Sequence, residues 1–422
     1  MKILVVGSGG REHALVWKLA QSAHRPHLYA APGNPGMRSL ATLVPVAADD
    51  IEGLLSFARE QKIDLTVVGP EVPLMLGIAD RFRAAGLRIF GPNRAAAQLE
   101  GSKAFAKEVM RRAGIPTAHH ATFTDLSAAR AYVQREGAPI VIKANGLAAG
   151  KGVTVAPTLP EARQALETSM EQRLYGAAGD VVVIEEYLEG DELSVMALVA
   201  GERCQLLLSA QDHKQLLDGD QGPNTGGMGA VAPVPWVDSA LLEVIRSRVF
   251  TPLLAELTRS GVDYRGVLYA GLMITREGPK VLEFNARFGD PETQAVLPLL
   301  QSDLVDLCLA VAYGTLEQTP LVHEPGAAIG VVLASAGYPE KPVSGQPITG
   351  LEDLPLETLV FHAGTRDQGG QLVTAGGRVL TVVGQGADLE QARARAYNAV
   401  ERIHFSGKQF RRDIGLRSQR IR

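Results

Sequence analysis

The chain is 422 residues long, 46% hydrophobic and 21% charged, which excludes a disordered or fibrous protein and implies about two to four domains of ordinary size. Lys+Arg 42 against Asp+Glu 46 leaves a formal charge of −4, so no basic excess draws it onto nucleic acid or anionic lipid. Two distant cysteines, Cys204 and Cys308, cannot make a disulfide framework or a thiolate zinc site.

In chain order, residues 2–6 read as a short buried strand, 11–20 as a helix, 28–31 as a strand, 51–61 as a helix, 65–68 as a strand, 74–85 as a helix and 88–90 as a strand. Strands alternating with helices imply a parallel sheet covered on both faces. This unit ends near Pro92. A helix follows with Ser102 as N-cap, Gly114 as the stop and Pro116 just beyond. Residues 118–188 alternate again, with strands at 140–143, 153–156 and 181–185 and a helix at 160–171. From 193 strands dominate (193–199, 204–208, 267–275, 280–285), a long helix over 239–260 interrupts them, and 275–280 is a hairpin turn carrying Gly278. Composition shifts near 324–326, where a last unit opens with a strand at 327–335. Strands at 358–361 and 378–383 and a helix at 388–403 follow, and the basic end FRRDIGLRSQRIR is expected to fray. No apolar run approaches the ~18 residues of a membrane span, and MKILVVGSGG breaks into glycine too early for a signal peptide. A cytoplasmic protein with no membrane partner is expected.

Glycine supplies 45 residues, about 11% against a usual ~7%, gathered in short runs where backbone turns sharply or approaches a ligand. The first run, GSGGREH, sets Gly7, Ser8, Gly9, Gly10, Arg11 and Glu12 between a strand and a helix, where backbone N–H groups can face an anion. A dinucleotide site also needs an acidic residue about 20 residues on for the ribose. The second strand ends YAAPGNPG without one, so a phosphate-bearing small molecule is favoured over a nicotinamide cofactor. His13 reads as a packing residue.

In VIKANGLAAGKGV a strand delivers Lys143, and a loop with Gly146, Gly150 and Gly152 carries Lys151. It is not a Walker A loop, because glycine follows Lys151, but two lysines and a glycine loop suit a lid over a polyphosphate. VIEEYLEGDELS runs an apolar strand into Glu185 and Glu186; the strand edge can hydrogen-bond a purine through its backbone, and Glu192 can accept ribose hydroxyls. The stretch 211–230, QDHKQLLDGDQGPNTGGMGA, is long for a connection and nearly devoid of apolar anchors; with Asp212, Lys214 and Asn224 it reads as a substrate-binding loop. VLEFNARFGDPETQ is the sharpest pattern. Side chains alternate along a strand, so Leu282, Phe284 and Phe288 point into the core while Glu283, Asn285 and Arg287 share the other face. A carboxylate, an amide oxygen and a guanidinium together suit a metal–phosphate group, because Mg²⁺ takes one or two protein oxygens and leaves the rest to phosphates and water. Asp290 and Glu292 continue the loop.

On GSGGREH, QDHKQ…GPNTGGMG and RFGDPETQ, the chain resembles the ATP-grasp enzymes over nearly its whole length, and within them the phosphoribosylamine–glycine ligase family of purine biosynthesis. Gln215, where the family usually has a basic residue, and Val231, where an aromatic is common, depart from its pattern. The resemblance implies an α/β chain, α+β in its catalytic lobe, with an N-terminal pre-ATP-grasp domain over 1–100, an ATP-grasp region over 101–325 with a small lid subdomain at about 118–188, and a C-terminal domain over 326–422. It further implies ATP as co-substrate, with the phosphates near Lys103, Lys143, Gly150, Lys151 and Gly152, adenine at Glu185, Glu186 and Leu188, and ribose at Glu192. Mg²⁺ or Mn²⁺ would sit on Glu283 and Asn285. Gly7 to Glu12 would hold the phosphate of 5-phosphoribosylamine, and Asn224, Thr225, Gly226, Gly227, Met228 and Asp290 would add substrate contacts. Arg287, Asp212 and Lys214 would be catalytic. The implied reaction phosphorylates glycine's carboxylate from ATP before the amine of phosphoribosylamine attacks, in a monomer or dimer. The competing readings are an ATP-grasp ligase for another carboxylate such as formate or bicarbonate, a nicotinamide-dependent oxidoreductase, and a non-catalytic nucleotide-binding regulator.

Overall fold

The structure, a computed structural model, describes residues 1–147, 152–416 and 418. Five parallel strands open the chain in the order Thr42–Leu43, His27–Pro32, Lys2–Gly7, Leu65–Val68, Ile89–Phe90. Both faces of this sheet are buried, as parallel strands require. Leu4 and Val6 pack under helices Ile51–Gln61 and Ile78–Ala84, while Ile3 and Val5 pack under Gly10–Leu19. The single helix expected over 74–85 is two, Glu71–Met75 and Ile78–Ala84, because Gly77 turns the backbone to φ +85° between them.

Helix Lys103–Ala113 starts on the Ser102 cap, whose hydroxyl accepts from the Phe105 N–H, and stops at Gly114 in the left-handed region. Next comes a four-stranded antiparallel sheet, ordered His120–Phe123, Val182–Glu186, Ile140–Ala144, Val153–Ala156, with helices Leu126–Glu136 and Leu159–Leu166 packed on it. A second antiparallel sheet runs Arg203–Leu206, Asp191–Ala200, Arg265–Thr275, Gly278–Asn285. One of its faces packs on Lys103–Ala113 and on the long helical stretch that includes Ser239–Ile245 and Thr251–Arg259; the other packs on Leu304–Tyr313. Its last pairing carries a bulge: Gly271 opposes Glu283 and Leu272 opposes Val281, so Leu282 has no partner across the ladder.

Two expectations fail here. The stretch 211–230 is not a loop but four short strands, Gln211–Asp212, Gln215–Leu217, Gln221–Asn224 and Gly229–Ala232. The middle two form a hairpin, and the outer two join the C-terminal sheet, ordered Gln211–Asp212, Gly229–Ala232, Ala327–Ala334, Arg378–Gly386, Leu359–His362. That sheet is therefore built from two distant parts of the chain, with helix Leu389–Arg402 packed on it. Nor does the basic end fray over its described part. Arg411 is only 1% exposed, and its guanidinium is paired with Asp220 and Asp413. Arginines that read as solvated by composition become interior groups when facing carboxylates compensate their desolvation.

Candidate active site

A cleft of about 370 Å³ opens where these sheets converge. Strand Gly278–Asn285 forms its floor and turns Glu283 and Asn285 into it, with Arg287 just beyond; Phe288 belongs to the core behind, as does Phe284, which also reaches the cleft wall. Leu282 was expected in that core too. It lines the cleft instead, because the bulge breaks the alternation at this residue.

Among the described residues, four lysines surround the floor. Lys103 and Lys107 lie one turn apart on Lys103–Ala113, Lys143 comes from Ile140–Ala144, and Lys214 stands beside Asp212. The Glu185 carboxylate bridges two of them, 3.1 Å from Lys107 and 2.9 Å from Lys143. Lys143 also donates to the carbonyl of Leu282 at 3.0 Å. Burial lowers Lys107 to about 8 despite Glu185. Asn145 ties this group together: its Oδ1 accepts from the Ala104 N–H at 2.7 Å and from the Ser102 hydroxyl, and Lys103 donates to the neighbouring carbonyl of Gly146.

Burial acts to push the Glu283 carboxyl up, but Lys214, Lys143, Lys103 and Arg287 hold it below the ordinary carboxylate range. It is therefore an ionised oxygen donor next to the neutral oxygen of Asn285. Asp212 is different. Burial raises it to about 7 against the pull of Lys214, and its Oδ1 is buried with no hydrogen-bond partner among the described residues. Lys214 itself is raised: burial acts against its charge, but Tyr269, Asp212 and Glu283 favour it.

Three arginines complete the cleft. Arg287 is held on Glu100 at 2.7 Å and Glu71 at 3.4 Å, and it donates to Asn285 Oδ1 at 3.3 Å. Arg11 donates to the carbonyl of Phe288 at 3.1 Å, and Arg378 enters from the C-terminal sheet to meet Asp290.

The other expected residues separate into groups. Gly152, Thr225, Gly226 and Asp290 line this cleft. Leu188 and Glu192 line a smaller cavity of about 180 Å³ that shares Asp212 and Lys214 with it. The Glu186 side chain does not face the cleft: it is exposed on the opposite side of its strand, accepting from the His119 N–H at 2.9 Å. Met228 is fully buried in the core, and Asn224 pairs with Gln215 in the hairpin. Gly227 lies against Asp212, where a Cβ would stand 2.6 Å from Oδ1. Glu12 is turned inward, accepting from the Gly9 N–H at 2.6 Å and from Arg11, and Gly7 and Gly9 leave it the room it fills. Gly10 is buried against Gln294, and the Ser8 carbonyl accepts from Asn34 at 2.8 Å. Gly150 and Lys151 lie outside the described residues.

Residues that the sequence reading passed over are Lys107, Tyr269, Glu71, Glu100 and Arg378; Glu292 was noted only as part of its loop. Lys107 carried a usable signal, because a lysine four residues after Lys103 shares its helix face. The others sit in segments with no local signature of a site.

Models of the phosphoribosylglycinamide synthetase N domain, ATP-grasp (A) domain and C domain match residues 1–100, 101–293 and 328–417. The chain belongs to the phosphoribosylglycinamide synthetase family. A phosphoribosylamine–glycine ligase from Halalkalibacterium halodurans is 51% identical over 418 residues, 99% of this chain and 97% of that protein. The crystal structure of phosphoribosylamine–glycine ligase from Thermotoga maritima superposes with a TM-score of 0.88 at 38% identity, covering 98% of this chain and 100% of that one. The biotin carboxylase domain of Hydrogenobacter thermophilus 2-oxoglutarate carboxylase, solved with MgADP and bicarbonate, has a TM-score of 0.74 at 18% identity over 97% of this chain and 91% of its own. That similarity is one of fold alone; the ATP-grasp assignment comes from the A-domain match over residues 101–293. Within the synthetase family, the cleft is the meeting point of all three matched regions: Arg11 and Glu71 come from the first, Glu283 and Lys214 from the second, and Arg378 from the third.

Proposed function

We propose that this cleft joins glycine to 5-phospho-D-ribosylamine at the expense of ATP, giving N1-(5-phospho-D-ribosyl)glycinamide, ADP and phosphate in purine biosynthesis. The observation that carries the reading is Glu283 and Asn285 opening onto the same cleft as Lys103, Lys107, Lys214 and Asp212, with Lys143 donating to the Leu282 carbonyl in its floor. A carboxylate does not form an amide in water. The terminal phosphorus of ATP therefore passes to an oxygen of the glycine carboxylate, and ADP leaves. The amine of phosphoribosylamine then attacks the acyl carbon, and phosphate departs with that oxygen.

Each residue has a physical task. Lys103, Lys143 and Lys214 neutralise phosphate charge, and positioning supplies most of the remaining acceleration. Glu283 and Asn285 offer an anionic and a neutral oxygen suited to Mg²⁺, or to Mn²⁺ in its place; when bound, the ion would neutralise and orient the phosphates. Asp212, with its buried and unpartnered oxygen, suits the ammonium of glycine, which would satisfy Oδ1 and favour the ionised carboxylate. Arg287 is held rigidly by Glu100 and Glu71, so its guanidinium is preorganised for the acyl phosphate and the tetrahedral oxyanion. Arg11 and Arg378 converge on Asp290 and bring two guanidinium groups to that end of the cleft, which suits the ribosyl phosphate. Leu188 and Glu192 set the second cavity's chemistry toward adenine and ribose.

The test is isotopic. Glycine labelled with ¹⁸O in its carboxylate is expected to deliver one label to the released inorganic phosphate in each turnover that also requires phosphoribosylamine. Unlabelled phosphate would exclude the acyl phosphate route.

A further inference from the structure

The hairpin formed by Gln215–Leu217 and Gln221–Asn224 lies between two pairs of cleft residues. Asp212 and Lys214 precede it, and Thr225 and Gly226 follow it. Two short strands with Leu217 half in solvent have little core of their own, and an isolated two-stranded hairpin is marginal in water. Something else must hold it in place.

That support comes from the C-terminal segment. The segment is fixed to helix Leu389–Arg402: Tyr397 donates to the Arg411 carbonyl at 2.7 Å and accepts from the Ile414 N–H at 3.1 Å, and Arg393 donates to the carbonyls of Arg412 and Ile414. From there Arg411 reaches the hairpin. Its Nε and one terminal nitrogen donate to both oxygens of Asp413 at 2.7 Å each. Its other terminal nitrogen donates to Asp220 at 2.9 Å and to the carbonyl of Gln215, the residue after Lys214, at 3.2 Å. The hairpin turn is held twice more: the Gly219 N–H donates to Asp413 at 2.8 Å, and Asp218 accepts from the Arg412 N–H at 2.7 Å. Four hydrogen bonds from one buried planar group are within reach of a guanidinium and not of an ammonium.

We propose that Arg411 is a positioning residue, which acts through the hairpin to fix Lys214 and Asp212 against glycine and the transferring phosphoryl group. The inference rests on the reading of Asp212 and Lys214 given above. It makes the segment 411–414 part of the apparatus that sets glycine affinity and turnover.

The test uses the full chain and varies each substrate in turn. Arg411→Ala is expected to lose about 100-fold in kcat/KM for glycine, the size of effect a misplacement near 1 Å produces. It should change the KM for phosphoribosylamine far less, because Arg11 sits on the N-terminal unit and the hairpin touches that end of the cleft only through Gly226 and Arg378. Loss of folded protein lowers kcat alone and moves neither KM. Millimolar guanidinium ion should restore part of the activity of Arg411→Ala and none is gained by the wild type, while Arg411→Lys should stay impaired. An unchanged glycine KM in Arg411→Ala, or equal losses in the KM for both substrates, overturns the proposal. If that variant does not fold, Asp220→Asn is read in its place: a raised glycine KM supports the proposal and an unchanged one overturns it. Glycine-dependent turnover by the wild type, measured alongside, separates this outcome from a failure of the functional reading itself.

Discussion

The guanidinium of Arg378 lies 3.1 Å from the carboxylate of Asp290, and the same side chain donates to the carbonyls of Gly226 and Asp290. One residue of the C-terminal sheet thus joins the 225–226 segment to the loop after the floor strand. Arg378→Ala removes the charged partner of the part-buried Asp290 carboxylate, which keeps the Gln294 amide as a donor; the change costs about 1–3 kcal/mol. We expect a lower melting temperature together with at least a tenfold rise in KM for phosphoribosylamine. Arg378→Lys should regain stability in part and affinity little, because one ammonium cannot reach all three acceptors. Thermal melts and steady-state kinetics on both variants check this.

Glu283→Ala should abolish metal-dependent ATP turnover while circular dichroism stays that of the wild type. The carboxylate is kept ionised by Lys214, Lys143 and Lys103, and its loss leaves those cations without their shared counter-charge. ADP release measured across a Mg²⁺ titration checks it; wild-type turnover in this variant would remove the metal assignment.

Lys143→Met should reduce kcat and ATP affinity together, since the phosphate contact proposed for it would act in both ground and transition states. Its partner Glu185 keeps Lys107 at 3.1 Å, so the fold should survive. A fall in melting temperature with unchanged kinetics would make Lys143 structural.

Acid should weaken the fold through its buried imidazoles. Burial, with His362 alongside, lowers His13 to about 3; burial lowers His362 to about 4, and burial with the charge of Arg411 lowers His213 to about 4. Unfolded histidines titrate near 6.5, so between those values the unfolded chain binds protons that the native chain does not. Stability is then complete above pH ~6.5 and falls toward pH 4, by up to ~1.4 kcal/mol per pH unit for each histidine. Urea midpoints at pH 7 and pH 5 measure the slope, and His362→Gln should flatten it.

How much of this was legible in the sequence depended on range. The alternation in VLEFNARF is a local property of a strand, and it placed Glu283, Asn285 and Arg287 on one side correctly. It failed at Leu282, where the bulge depends on the register against Arg265–Thr275. The GSGGREH glycines were read as a phosphate cradle, yet part of their role is to admit Glu12: a Cβ on Gly7 or Gly9 would come within 2.7 Å of its atoms. One signal had two causes, and only the packed structure separates them. Arg378 opens a strand and Glu100 nears the end of a helix, so nothing in their own neighbourhoods marks either as a cleft residue. Arg411 was misread for the same reason, since its partner Asp220 is 191 positions away.

The side chain of Asn34 donates at once to the carbonyl of Ser8 and to the carbonyl of His362, each at 2.8 Å. The N-terminal and C-terminal units are thereby stitched beside the first glycine run, and no severed portion keeps the main cleft whole. Splitting the gene into separately produced fragments should yield silent pieces whose chemistry returns only on reassembly.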